Sequence, residues 1–95
     1  MEIGINPVPQ FPLGKMVITP GATSSLDHVS VKLAIARHAA GDWGDLDAHD
    51  SAENSNSLHN GGTLVSIYKD SKGVRIYVIT EPSRDRTTVL LPQEY

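Results

Sequence analysis

From Val74 to Glu81 apolar and polar residues alternate. Val74, Ile76 and Val78 fall on one side of an extended chain, and Arg75, Tyr77, Ile79 and Glu81 on the other. That period predicts a half-buried strand whose first set meets the helices. Residues 63–69 predict a strand before it, joined by the turn Asp70-Ser71-Lys72-Gly73. A loop over 82–85 leads to a further strand over 86–91, stopped by Pro92. Near the start, residues 15–19 form a short β-type run that Pro20-Gly21 interrupts.

The middle of the chain has a helical period. Residues 22–27 allow one helical turn. Ser30 suits an N-cap, a helix over 31–40 follows, and Gly41 suits the position after its end. Leu33, Ala36, Arg37 and Ala40 share a stripe that Ile35 and Ala39 widen, so this helix is expected to be largely buried. A second helix starts after Asp47, with Asp50 and Glu53 near its positive end, and Gly61-Gly62 closes it. Ser55, Asn56, Ser57 and Asn60 weaken its propensity. It should lie on the surface and fray, with Leu46, Ala48, Ala52 and Leu58 as its burial candidates.

Residues 1–12 contain three prolines and read as an irregular arm. Residues 13–95 then form a single α+β domain in the order β-α-α-β-β-β, two helices packed on one face of a small antiparallel sheet. At 95 residues the chain buries only ~60–65% of its unfolded surface, so few apolar residues are to spare. The absence of cysteine excludes disulfides and thiolate chemistry. No run approaches the about 18 apolar residues of a membrane helix, and the first ten residues lack a secretory pattern. A cytoplasmic protein without membrane contact is expected.

Charge adds a direction. The net charge of −3 argues against direct nucleic-acid binding. Asp42, Asp45, Asp47, Asp50 and Glu53 lie in one stretch without Lys or Arg, whereas Lys69, Lys72, Arg75, Arg84 and Arg86 mark the C-terminal strands as mildly basic. The densest cluster of unusual residues is Arg37-His38 followed by Gly41-Asp42-Trp43-Gly44-Asp45. A tryptophan between glycines and aspartates is more often a core-edge anchor than a binding platform. Even so, Arg37, His38, Asp42, Trp43, Asp45, Asp47 and Asp50 are the first candidates for a partner contact.

The chemistry-bearing motifs are weak. The aspartates and His49 do not follow the calcium-loop order, and the four histidines lack zinc-protease spacing, so no metal and no cofactor is expected. Phosphate loops and nucleophile elbows are also missing.

Three segments, Phe11-Pro-Leu-Gly-Lys-Met-Val-Ile-Thr-Pro-Gly-Ala22, Ala36-Arg-His-Ala-Ala-Gly-Asp-Trp-Gly-Asp-Leu46 and Tyr77-Val-Ile-Thr-Glu81 with Thr87-Thr-Val-Leu-Leu-Pro92, resemble a family of small proteins found on plasmids, integrative elements and phages. Tyr77 and Pro82-Ser83 depart from the family's pattern, which places Trp and Ala-Asp there. The resemblance carries no catalytic residues. It implies a mobile-element accessory protein that acts by protein–protein binding. One form is an inhibitor of a host defence system, of anti-restriction or anti-CRISPR type, docking on that enzyme's basic nucleic-acid-binding surface. The alternative is a metal-independent endoribonuclease of barnase or RelE-like type. There Glu81 is the base, His38 the acid, Arg75, Arg84 and Arg86 the phosphate clamp, and Thr88 a neighbour on the next strand.

Overall fold

Residues 9–95 are described in a computed structural model, and each expected element is found there. They comprise β1 (Lys15–Ile18), α1 (Pro20–Ser25), α2 (His28–Ala39), α3 (Ala48–Asn60), β2 (Leu64–Lys69), β3 (Arg75–Thr80) and β4 (Arg86–Leu90), closed by a 3-10 turn, Pro92–Glu94. Most of the expected arm, residues 1–8, lies outside the described residues. Of its remainder, Phe11 is buried and the Gln10 amide donates to the Ala39 carbonyl at 2.7 Å.

The sheet runs β1-β4-β3-β2. Short connections make β2, β3 and β4 an antiparallel meander, with Ser66 opposite Val78 and Thr80 opposite Thr87. β1 departs from the expected antiparallel sheet: it pairs parallel to β4, Val17 beside Thr88. No hairpin ties β1 to its neighbour, so no local turn dictates its direction.

α2 begins earlier than expected. Its N-cap is Asp27, not Ser30, and the Asp27 carboxylate accepts from the Ser30 amide at 2.7 Å. Its buried stripe also differs: Val31, Ala34, His38 and Ala39 face inward, whereas Leu33 is 59% exposed. A histidine on the inward stripe breaks the apolar pattern and shifts its apparent phase. The inner strand positions agree with the alternation. Ile76, Val78 and Val89 are fully buried and join Ala22, Leu26, Val31, Ala34, Tyr68 and Leu91 in the main core. A second cluster holds Phe11, Trp43 and Leu64, backed by Leu13, Leu46 and Leu58.

α3 has the expected ends, Asp47 as cap and Gly61 at φ 83°. It lies along the outer edge of β2, and its Leu58 packs on the second cluster. Asn54, its one buried residue, accepts from the Val65 amide at 3.1 Å and donates to the Val65 carbonyl. One side-chain amide thus stands in for a strand neighbour and covers an edge that would otherwise recruit other chains. Asn54→Ala is expected to cost ~1–3 kcal/mol, because both Val65 groups lose their partner. Native-state hydrogen exchange checks this: the Val65 amide should lose most of its protection, while that of Val78 should change only with global stability.

Candidate functional site

The segment around Trp43 continues the covering of β2. Gly41 takes the left-handed conformation at φ 82°, ends α2 and turns the chain towards the sheet. The Ile67 amide donates to the Trp43 carbonyl at 3.2 Å, and the Asp45 amide donates to the Ile67 carbonyl at 2.6 Å. Gly44 lies between them at φ 73°, where a Cβ would stand 2.1 Å from the Ile67 oxygen. Arg37 pairs with Asp42 at 2.7 Å and lies over the Tyr68 ring at 4.7 Å. Its guanidinium holds the Asp42 carboxyl below the usual carboxylate range. Trp43 is buried against Phe11 and His38, which also touch each other. It is therefore a core-edge anchor, and no indole platform is presented to a partner.

His38 has no exposed surface. Its Nδ1 lies 2.5 Å from the Ser66 hydroxyl and its Nε2 lies 2.8 Å from that of Thr80. Thr80 is 2.7 Å from Thr87, whose hydroxyl donates to the Leu13 carbonyl at 2.7 Å. A carbonyl only accepts, and this sets the direction of the whole chain. Thr87 spends its proton on Leu13, Thr80 donates to Thr87, and His38 Nε2–H donates to Thr80. In the neutral imidazole, Nδ1 then accepts from the Ser66 hydroxyl. Burial pushes its pKa down to about 4, and the nearby Arg84 guanidinium acts in the same direction. Sequence reading missed Ser66, Thr80 and Thr87. Their signal was a polar residue at an inner position of each strand's alternation.

The nuclease set is not brought together. Arg75, Glu81 and Thr88 belong to the outer face of the sheet, whereas His38 is sealed against the inner face. Glu81 pairs with Arg86 at 3.5 Å. Arg84, held at φ 63°, donates to the carbonyls of Ser57, Gly62 and Glu81 at 2.9, 2.7 and 3.1 Å. It thereby neutralises the carbonyl end of α3. Its guanidinium is occupied in holding the β3–β4 loop to that helix.

An open groove of about 570 Å³ lies between α3 and the outer face. Val65, Ile67 and Tyr77 floor it, Asp50, Glu53 and Ser57 wall it on the helix side, and Tyr95 closes the far side. The Tyr77 and Tyr95 rings lie 5.7 Å apart. No lysine or arginine lines it. Of the candidate partner residues, Asp50 lines this groove, Asp47 caps the same helix, and Asp45 is exposed on the segment before it. Asp47, His49 and Asp50 are also close enough to share an ion, but all three are exposed and the Asp47 carboxylate already accepts from the Asp50 amide at 2.8 Å. Among the described residues, no helix is long and apolar enough to cross a membrane. No family model, curated protein or solved structure matches the chain.

Proposed function

We propose that the protein acts by binding, holding a basic and partly apolar segment of a partner protein in the groove between α3 and the outer sheet face. The supporting observation is the pairing of an apolar floor, Val65, Ile67 and Tyr77, with a carboxylate wall, Asp50 and Glu53, in a groove that no lysine or arginine lines. An arginine or lysine laid there would rest its methylenes on the floor and the Tyr77 ring and carry its charge to the wall. Such a site discriminates against acidic partners and speeds encounter with basic ones. The resemblance to mobile-element proteins suggests a host defence enzyme as partner, its basic nucleic-acid-binding surface being what the groove covers. The protein is then an inhibitor of anti-restriction or anti-CRISPR type.

Fluorescence anisotropy with labelled peptides that alternate Arg or Lys with apolar residues tests this reading. Wild type should bind them in preference to Asp/Glu counterparts, less tightly as salt rises. The combined Asp50→Lys and Glu53→Lys variant should bind at least ~10-fold more weakly, since two attractive pairs become repulsive. Undiminished binding by that variant would remove the groove from the function. Total RNA incubated with the protein in EDTA should stay intact; cleavage that Glu81→Gln abolishes would replace the binding reading with a catalytic one.

A further inference from the structure

The two edges of the sheet are treated differently. Asn54 and the 43–45 segment occupy β2, whereas among the described residues nothing pairs with the outer edge of β1. The Lys15 amide donates to Asp85 and the Thr19 amide to Val89, both on the β4 side. By alternation Lys15, Val17 and Thr19 direct their backbone groups to β4, and Met16 and Ile18 direct theirs outward. These same two residues are 37% and 43% exposed, on the helix side of the sheet with Thr87 and Val89. An open edge bearing large apolar side chains is a docking surface for a strand.

We infer that this edge pairs with its own copy, β1 antiparallel to β1 about a two-fold axis through Val17. The register follows from the strand itself. A two-fold axis normal to the sheet keeps the helix sides together and sets Met16 opposite the partner's Ile18, and Ile18 opposite the partner's Met16. Those are the residues whose N–H and C=O groups point outward, so each pair exchanges two backbone hydrogen bonds. Val17 meets the partner's Val17 on the outer face. The partner's Met16 comes against Ile18, which walls an apolar groove of about 350 Å³ formed with Ala22, Leu26, Val31 and Ile35. The charges agree as well. Lys15 makes no ion pair among the described residues, and the register brings the partner's Lys15 against Thr19, whose hydroxyl donates to the Glu94 carboxylate at 2.7 Å. Two such Lys–Glu approaches arise by symmetry, and no like charges oppose one another. The result is one continuous sheet through two domains, its two peptide grooves at the far ends. So short a strand pair forms a small interface, and association is reversible.

Sedimentation equilibrium on the full chain, from about 5 to 500 μM, tests this in the range where interfaces of that size respond. The mass should move from 10.2 kDa towards twice that value as concentration rises. Met16→Pro removes an outward N–H while leaving the β4 ladder intact, since that amide does not face β4. It should shift the midpoint at least ~10-fold upward or abolish association. Ile18→Lys should do the same by placing a charge at the centre of the contact, and Lys15→Glu should weaken it by repulsion from Glu94. All three should keep the wild-type circular dichroism spectrum at 5 μM; should Met16→Pro or Ile18→Lys lose it, the milder Lys15→Glu carries the comparison. A wild type that stays at one chain's mass throughout overturns the proposal and leaves the edge to a strand from another protein. Dimers that survive all the folded variants overturn it too, because the contact then lies elsewhere.

Discussion

Lowering the pH from 7.5 to 4.5 is expected to remove ~2–3 kcal/mol of folding stability, through His38. In the unfolded chain this histidine titrates near its ordinary value of about 6.5, and in the folded chain near about 4. Between these values the unfolded state binds the extra proton. Stability is therefore full above about 6.5 and falls as the pH approaches 4. The cause is the sealed site: a charged imidazole would lose its water, gain only hydroxyl partners and face the Arg84 guanidinium. The carboxyls of Asp27, Asp42 and Glu94 are also held low by hydrogen bonds, with the same sign, but in a lower pH window. Urea titrations at pH 7.5 and 4.5 measure the loss, and histidine NMR assigns it. One imidazole should titrate with a midpoint near 4, and its resonance should disappear in His38→Gln. A midpoint near 6.5 for His38 would mean that water reaches it in solution.

Replacing Ile76 by alanine should cost ~2–4 kcal/mol, a large share of what a domain of this size has. Ile76 is fully buried, lies opposite Tyr68, and packs at the centre of the main core. Its neighbours belong to α2 and to adjacent strands, so they cannot all collapse into the space left behind. Ile79, three residues on and on the outer face, is only half-buried. Ile79→Ala should cost less than about half as much, since less area leaves water on folding. The ratio of the two denaturation midpoints is the informative quantity. Equal losses would mean that the outer face is covered in solution, over a larger area than the groove or the β1 edge accounts for.

The alternation that marks Ile76 also located the other strands, and the Gly and Asp signals placed most turns and caps, including Asp47, Gly41 and Gly61. The candidate site was less legible. The acidic stretch announced a negatively charged surface, yet its aromatic was mistaken as a possible contact: Trp43 is buried, while the tyrosines that line the open groove, Tyr77 of β3 and Tyr95 after the 3-10 turn, come from far along the chain. The cation–phenol–carboxylate face expected of β3 is present, with Glu81 neutralised by Arg86.

By itself the sequence determined the elements, their order and which side of β3 is buried, because these depend on periodicities and on residues within a few positions of one another. The tertiary structure alone decided the rest. It set the parallel direction of β1, since no turn joins that strand to β4. It chose the inward face of α2, where a histidine replaces an apolar residue because Ser66 and Thr80 wait on two strands to satisfy it. It gave a weak helix a purpose, as Asn54 finds the Val65 backbone eleven residues away and α3 becomes the wall of a groove. Each of these depends on which polar group meets which across the chain, and a buried polar group is tolerated only where its partner is brought to it.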